Sequence, residues 1–356
     1  MLVYAFCVIN NNAPERYHKY RDKFTIISYF YIMEQFTIGI DVGGTKTAYG
    51  VFGSSGLIRR ISHPSDNNAS PEIFFEQITA NIEELIGICQ IKRENIRGIG
   101  LGMPSFILYD EGYIVKTSNL VNIKDFPARS WLSKRLGNIP VILDNDARAA
   151  GIAELRYGAG RGFDTMFYCP VSTGISSSLF IGGKPFRGSY GWAGESGHMI
   201  ATPGEGVECG CGNRGCYMSW CSGSMIVRHI KKWVNDGEAT IMVELAGGVD
   251  RIDSIILEKA FDRGDAMAVK AFNQMVHWLG VWFYNLYVSS NVNCFVLGGG
   301  LVNMGSKLLS PIRRVFDEFN HDERPVYFKT AECGDNSGIT GAAELARDAF
   351  NGKEGQ

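Results

Sequence analysis

The sequence Asp-Val-Gly-Gly-Thr-Lys, which begins at Asp41, combines two glycines with a carboxylate and a hydroxyl group. Gly43 and Gly44 allow a sharp turn in which bare backbone N–H groups approach phosphate oxygens. Thr45 adds a hydroxyl group, and Asp41 adds an acceptor for a hydrated Mg²⁺ ion. Paired glycines are also common in ordinary hairpin turns. The motif alone therefore leaves open both a structural turn and a phosphate site that includes Lys46.

Two further glycine turns could bind a nucleotide whose phosphates lie at this first motif. Thr173 and Gly174 follow a predicted strand, where a second hydroxyl group and a bare backbone can close on the phosphates from the opposite side. Gly299 is the middle of three consecutive glycines after another predicted strand. The missing side chains there would admit a flat adenine or ribose, although an ordinary strand-to-helix turn has the same composition. We expect ATP as the ligand.

Asn145 and Asp146 lie between a predicted strand and a predicted helix. Helix capping is one explanation, because Asn and Asp are good N-caps. The functional explanation rests on position, since open α/β sheets bind ligands at the carboxyl ends of their strands. There Asp146 would take the proton from a sugar hydroxyl group that attacks the γ-phosphate. A positioned general base contributes about 10² to 10⁴ in rate.

A cluster of nitrogen and sulfur donors lies further along the chain. His198 precedes Cys209, Cys211 and Cys216, which follow the pattern Cys-x-Cys-Gly-x-x-Gly-Cys. Three thiolates and one imidazole make a closed tetrahedral Zn²⁺ shell, which indicates a structural rather than a hydrolytic zinc ion. Buried free thiols are the alternative. If one nitrogen of His198 binds zinc, the other is free to hold a substrate hydroxyl group.

An alternation of strands and helices must position these residues. Residue patterns predict strands at 36–41, 45–52, 57–62, 96–102 and 141–144, and helices at 71–90 and 147–157. A similar order begins again near Asp164, with strands at 166–171, 176–181 and 293–297 and a helix at 302–319. The sequence therefore predicts an α/β fold with two lobes of related topology.

Length and composition exclude several classes of function. A chain of 356 residues usually forms two domains. The formal net charge of −2 provides no basic surface for nucleic acid, and the apolar segment 24–33 is too short for a membrane helix. Three of the nine cysteines lie in the metal-type cluster, which fits a reducing cytoplasm. We expect neither a nucleic-acid nor a membrane partner.

Residues 1–35 precede the first predicted strand. Several cations stand before the apolar segment 24–33, as in a signal peptide, but no small-residue cleavage site follows. We therefore expect an N-terminal extension that is disordered or that reflects a mis-set translation start, with Met33 opening the domain.

The ordered set of motifs resembles the ROK family of bacterial sugar kinases and repressors over residues 36–350. The resemblance implies a two-lobed actin-like ATPase fold, related to ribonuclease H, with a zinc-bearing loop in the second lobe. It places residues 36–146 and 338–350 in the first lobe and residues 147–337 in the larger second lobe. It also implies a homodimer.

The resemblance assigns roles to individual residues. It makes Asp146 the catalytic base and puts Asn145, Glu195 and His198 on sugar hydroxyl groups. Asn119 matches a position that can reach the sugar. The implied nucleotide contacts are Gly43, Gly44, Thr45, Thr173, Gly174 and Gly299. The implied zinc ligands are His198, Cys209, Cys211 and Cys216.

Three positions depart from the family pattern. Serines at 176–178 replace the glycines that usually follow the second Thr-Gly, which narrows the room near the phosphates. Ser105 replaces the last glycine of a Gly-x-Pro-Gly motif that lies near the sugar in the family. Met218 stands where the family usually has a sugar-binding Glu, so we expect a substrate that differs from the usual one.

The predicted activity is transfer of the ATP γ-phosphate to a hydroxyl group of a hexose or N-acetylhexosamine, with Mg²⁺ and a structural Zn²⁺. One alternative is a sugar-responsive repressor, but about 35 residues before the first strand, without a helix-turn-helix pattern, are too few for its DNA-binding domain. Another is a sugar sensor without catalysis. Met218 and the serines favour the sensor, whereas the intact Asp146 argues against it.

Overall fold

The structure, a computed structural model, describes residues 34–351. The expectations for residues 1–33 lie outside this range. The elements around the first sheet are β1 (Phe36–Val42), β2 (Lys46–Gly53), β3 (Gly56–Pro64), α1 (Pro71–Cys89), β4 (Ile96–Met103), β5 (Ser105–Leu108), β6 (Tyr113–Thr117), β7 (Lys124–Phe126), α2 (Ala128–Arg135), β8 (Val141–Asn145) and α3 (Asp146–Tyr157).

The elements around the second sheet follow. They are β9 (Met166–Pro170), β10 (Ser178–Ile181), β11 (Lys184–Pro185), α4 (Tyr217–Cys221), α5 (Gly223–Asn235), α6 (Met242–Ala246), α7 (Ser254–Asp262), α8 (Ala266–Ser290), β12 (Cys294–Gly298), α9 (Ser306–Phe319), β13 (Tyr327–Thr330) and α10 (Ser337–Asn351). Within residues 34–351, no helix is long and apolar enough to cross a membrane.

The two large sheets have the same topology. The first has the order β3-β2-β1-β4-β8 and the second the order β11-β10-β9-β12-β13. In each, an antiparallel meander of three strands is followed by two strands that are parallel to its first strand. This repetition agrees with the two related halves predicted from the sequence. Asp41 lies near the carboxyl end of β1, and Asp146 and Thr173 follow the carboxyl ends of β8 and β9.

Helix α1 shows how local sequence builds this frame. Ser70 caps it, with its hydroxyl oxygen accepting the Ile73 N–H at 3.4 Å, and Pro71 occupies the first helical position. Ile78 and Ile82 lie on its buried face, in one apolar core with β1. A fully buried Ile contributes about 1.5 to 3 kcal/mol relative to an exposed one.

The C-terminal helix α10 packs on the first sheet, against β1, β4 and α3. The backbones approach so closely that only glycine fits at the contact. A Cβ atom on Gly39 would lie 1.9 Å from the carbonyl oxygen of Ile339, and one on Gly100 would lie 1.7 Å from that of Ala342. The helix that follows the second sheet in sequence therefore contacts the first sheet.

Three features differ from the sequence predictions. Strands β5, β6 and β7 form an additional antiparallel sheet that was not predicted. The predicted helix 302–319 is a 3-10 turn at Gly300–Met304 followed by α9, and Gly305 separates them with a φ of +58°. A left-handed residue interrupts the helical backbone, and glycine adopts that conformation without strain. Strand β10 begins at Ser178 rather than at 176.

Candidate active site

Asp146 is the first residue of α3, directly after β8. Asn145 caps the helix, because its side-chain oxygen accepts the Ala147 N–H at 3.0 Å. Asp146 Oδ1 accepts the same N–H at 2.9 Å. Since Asn145 already provides the cap, capping alone does not explain the carboxylate of Asp146.

A cavity of about 200 Å³ lies between the carboxylates of Asp41 and Asp146. Asp41 comes from β1 of the first sheet, and the opposite wall includes Tyr168 from β9 of the second. Gly338 also lines the cavity, and a Cβ atom there would lie 2.3 Å from the Asp41 carboxyl carbon. The fold thus brings two sequence-distant carboxylates to one cavity that residues of both sheets line.

Both carboxyl groups have raised pKa values. Burial raises the pKa of Asp41 to about 6, and the negative charge of Asp146 adds to the rise, while Arg60 and Lys46 oppose it. Burial also raises the pKa of Asp146, against hydrogen bonding from the Ala147 N–H and the charge of Arg148. Two acidic groups with perturbed pKa values in one cavity are typical of a functional site.

The two predicted phosphate turns are close in sequence to Asp41 and Ser176, which line this cavity. In the first, the Gly43 N–H donates to the Lys46 carbonyl oxygen at 3.0 Å. Asn119 lies against this turn, 3.2 Å from where a Cβ atom on Gly44 would be. Thr45 is exposed, so its hydroxyl group is accessible.

The second turn lies at the other sheet. The Ser172 N–H donates to the Gly174 carbonyl oxygen at 2.9 Å, and the Ser224 hydroxyl group donates to the Thr173 carbonyl oxygen at 2.7 Å. Among the three serines at 176–178, Ser176 lines the small cavity, whereas the Ser177 hydroxyl lies 2.7 Å from that of Ser196. One of the three serines therefore faces the carboxylates.

A larger cavity of about 900 Å³ begins at Thr173. Its walls include Gly300 after β12 and side chains of α5 and α7. Gly299 has a φ of +84°, and a Cβ atom there would lie 2.6 Å from the Val171 carbonyl oxygen. This glycine serves a close backbone contact, while its neighbour Gly300 faces the cavity. The space is large enough for a nucleoside.

Glu195 and His198 lie in the long connection between β11 and α4. Burial raises the pKa of Glu195, and the charge of Asp146 adds to the rise, which shows that the two carboxylates lie near each other. The Nε2 atom of His198 lies 4.0 Å from Glu195 Oε2. Asp146, Glu195 and His198 are therefore neighbours, although about fifty residues separate the first from the last.

The predicted metal ligands converge. One donor atom from each of His198, Cys209, Cys211 and Cys216 lies within 4.8 Å of the others. The two sulfur atoms of Cys211 and Cys216 are 3.7 Å apart, and His198 Nδ1 is 3.4 Å from Cys209 Sγ. Zn–S bonds of 2.3 Å in a tetrahedron place two sulfur atoms about 3.8 Å apart. The donor set and its spacing fit a zinc ion.

Comparison with known proteins supplies the family. The family model described as "ROK family" matches residues 37–349, which is most of the chain. The chain belongs to the ROK family. This membership also agrees with the order of the sequence motifs.

Individual ROK proteins resemble the chain along nearly its whole described length. The glucokinase of Streptomyces coelicolor is 30% identical over 318 residues, covering 88% of this chain and 98% of that protein. The N-acetylmannosamine kinase of Escherichia coli is 29% identical over 316 residues, covering 87% and 98%. Both relatives are thus matched over almost their full length.

A solved ROK structure agrees with the fold. The crystal structure of a ROK family glucokinase from Streptomyces griseus, in complex with glucose and AMPPNP, has a TM-score of 0.73. It is 30% identical, and the match covers 88% of this chain and 99% of that one. The predicted two-lobed actin-like ATPase fold is confirmed.

Sequence reasoning missed several residues of this ROK protein that line the sites. Arg228 and Lys231 of α5 line the larger cavity, and their spacing of three residues on a helix was a usable signal. Lys116 of β6 gave no signal, yet its charge lowers the pKa of His198, after the larger effect of burial. Arg148 was also missed, because its partner Asp144 lies in strand β8, where a four-residue spacing does not indicate an ion pair.

Proposed function

We propose that this chain transfers the γ-phosphate of ATP to a hydroxyl group of a hexose or N-acetylhexosamine, with Asp146 as the general base. The chain is a sugar kinase in this proposal. Its membership of the ROK family and its similarity to the two kinases named above support that class of enzyme. One observation carries the assignment to Asp146. This residue lines the same cavity as Asp41, and its charge raises the pKa of Glu195.

Asp146 would take the proton of the attacking sugar hydroxyl. Burial raises its pKa, so the carboxylate holds a proton better near neutral pH than an exposed Asp would. The Ala147 N–H and the charge of Arg148 limit this rise and thus favour the anion that a base must be. The proton would go to an Asp146 oxygen while the hydroxyl oxygen forms its bond to the γ-phosphorus and the bond from that phosphorus to the β,γ-bridging oxygen breaks, with ADP leaving.

ATP would bind between the two glycine turns. Gly43, Gly44 and Thr45 would hold the phosphates from the first sheet, and Thr173 and Gly174 from the second. The cavity of about 900 Å³ near Gly299 would hold the nucleoside.

Mg²⁺ would bind with the phosphates of ATP beside Asp41. The Asp41 carboxylate lines a small cavity and suits a hydrated magnesium ion, which prefers oxygen donors. When bound, Mg²⁺ neutralises charge on the phosphates. The exposed Lys46 would add a positive charge at the edge of the same turn.

The sugar would lie beside Asp146 and Glu195. Because the side-chain oxygen of Asn145 caps α3, its NH₂ group remains to donate to a sugar oxygen. Glu195 would accept hydrogen bonds from hydroxyl groups, and the Nε2–H of His198, 4.0 Å from Glu195 Oε2, would donate to a sugar oxygen. Asn119 would reach the sugar from the first turn. Met218 lies 3.6 Å from where a Cβ atom of Gly174 would be, in place of a carboxylate.

A structural zinc ion would be held by His198 Nδ1 and the thiolates of Cys209, Cys211 and Cys216. When bound, it would close the loop that follows Glu195 and fix the ring of His198, so that Nε2 is presented to the sugar. The thiols must be reduced for this role. We therefore propose a reducing compartment, the cytoplasm.

The proposed lobes are residues 36–146 with 338–350, and residues 147–337. Packing of α10 on β1 and β4 supports the assignment of the C-terminal segment to the first lobe. A homodimer is proposed from the family resemblance.

A coupled ADP-release assay with hexoses, hexosamines and N-acetylated sugars tests the function. We expect sugar-dependent ADP release from at least one of them, and its loss in Asp146→Asn. Sugar binding without ADP release would identify a sensor and contradict the kinase. Equal turnover by the parent chain and Asp146→Asn would contradict the assignment of the base alone.

A further inference from the structure

A buried ionic network lies below Asp146. Its centre is Asp144 of β8, whose side chain is 1% exposed. The Asp144 carboxylate accepts the Asn145 N–H at 2.8 Å and the Arg187 Nε–H at 2.8 Å, and it also accepts a hydrogen bond from Nη1 of Arg148. Because a buried charge requires partners, this carboxylate is well compensated.

Arg148 has a second set of contacts, on a distant part of the chain. Its Nη2 atom donates to the carbonyl oxygens of Gly191 and Ala193, each at 3.0 Å. Ala193 is two residues before Glu195 in the same loop. One guanidinium group, 4% exposed, therefore joins the strand that ends beside Asp146 to the loop that carries Glu195.

Other sides of this loop are held by close backbone packing. Gly191 has a φ of +82°, and a Cβ atom there would lie 2.6 Å from the Ile107 carbonyl oxygen. Gly194 has a φ of +111°, and its carbonyl oxygen accepts the Ser177 N–H at 2.9 Å. These contacts place the loop on β5 and next to β10. Arg187 ties the start of the loop to Asp144 of β8, and Arg148 adds a second link to β8 at Gly191 and Ala193.

We propose that Arg148 is a positioning residue for phosphoryl transfer, which sets the separation of Asp146 and Glu195 by holding the loop against Asp144. The role requires arginine, because a guanidinium group directs several N–H donors in one plane. A lysine in its place provides one compact charge on a flexible chain, which cannot reproduce the planar fork that spans the carboxylate and the two carbonyl oxygens.

The inference rests on the proposed function, since Glu195 is taken to hold the sugar that Asp146 deprotonates. A loose loop would misplace the sugar hydroxyl relative to the base. Displacement by about 1 Å can lower a rate by about 10²-fold. The nucleotide cavity should be unaffected, because Arg148 is not among its lining residues. The role therefore predicts changes in the KM for sugar and in kcat, but no change in the KM for ATP.

The kinetic test uses the full chain, Arg148→Gln, Arg148→Lys and the control Arg156→Gln. Arg156 lies on the same helix and also pairs with carboxylates, those of Glu344 and Asp348, but on α10. With the best sugar of the screen, we expect each Arg148 variant to raise the KM for sugar and to lower kcat by about tenfold or more, with the KM for ATP within about twofold. Arg156→Gln should keep all three values.

A second readout does not depend on kinase activity. Hydrogen–deuterium exchange of the amides at 188–195 should be about tenfold faster in both Arg148 variants, because the carbonyl oxygens of Gly191 and Ala193 lose their donor and only Arg187 still ties the start of the loop to Asp144. The same amides should exchange at the parent rate in Arg156→Gln. If Arg148→Gln fails to fold, Arg148→Lys, which keeps a positive charge beside Asp144, provides the test.

The outcomes separate this inference from the proposed function. Parent-like exchange at 188–195 in a folded Arg148 variant would overturn the positioning role, as would full rescue of kinetics by Arg148→Lys or an equal effect of Arg156→Gln. If the parent chain phosphorylates no sugar, the proposed function fails, and the exchange measurement still decides whether Arg148 holds the loop.

Discussion

Replacing Asp41 by Asn should stabilise the ligand-free protein at neutral pH. Burial raises the pKa of Asp41 from 3.8 to about 6, and the charge of Asp146 adds to this shift. The folded protein therefore binds the Asp41 proton more tightly than the unfolded chain does. Stability from this carboxyl group is then fully present below about pH 4 and is lost as the pH rises through about 6.

The size of the effect follows from the shift. A rise of about two pKa units at 1.36 kcal/mol each amounts to about 3 kcal/mol of destabilisation at pH 7. The Asn variant does not regain all of this free energy, because Lys46 and Arg60 lose an opposite charge and the new amide needs hydrogen-bond partners. We expect Asp41→Asn to raise the free energy of unfolding by about 1 to 3 kcal/mol at pH 7.

Urea unfolding at several pH values between 4 and 8, without sugar, ATP or Mg²⁺, measures this gain. The difference between variant and parent should be near zero at pH 4, grow up to about pH 7 and then remain constant. The matched control is Asp144→Asn, which removes a buried carboxylate that pairs with two arginines and should cost about 3 to 5 kcal/mol. A less stable Asp41→Asn at pH 7, or a gain that does not change with pH, would refute the reasoning.

Three further predictions concern the proposed chemistry. Asp146→Asn should lower kcat by about 10² or more while sugar binding, measured by calorimetry, persists in weaker form, because a base acts mainly in the transition state; unchanged kcat would contradict this. Cys211→Ser or chelation should remove one zinc ion per chain, measured by atomic absorption, and lower the melting temperature, and a metal-free parent of equal stability would exclude the zinc site. Met218→Glu should shift kcat/KM toward glucose by about tenfold, or ~1.4 kcal/mol, whereas efficient use of glucose by the parent chain, with no gain in the variant, would show that another acceptor compensates for Met218.

Signals between near neighbours in the chain were enough to predict many elements. Strand β1 was predicted at 36–41 and is Phe36–Val42, and helix α1 was predicted at 71–90 and is Pro71–Cys89. Alternation of apolar residues, a Ser cap and Pro71 act within a few residues, so they are visible without a fold. The clustering of Cys209, Cys211 and Cys216 is local in the same way.

Assembly of the site depends on contacts that no local pattern contains. The motif at Asp41 does not reveal that Asp146 lines the same small cavity, where the charge of Asp146 raises the pKa of Asp41 beyond the effect of burial alone. The break at Gly305 and the cavity walls from α5 and α7 were also missed, because helix packing sets them.

Arg148 illustrates the physical reason most clearly. Its acceptors at Gly191 and Ala193 lie 43 and 45 residues further along the chain, and both are backbone carbonyl oxygens. Every residue type has such an oxygen, so nothing in the identity of these two residues marks them as partners. Their selection follows from where the packing of β8, α3 and the loop brings the backbone.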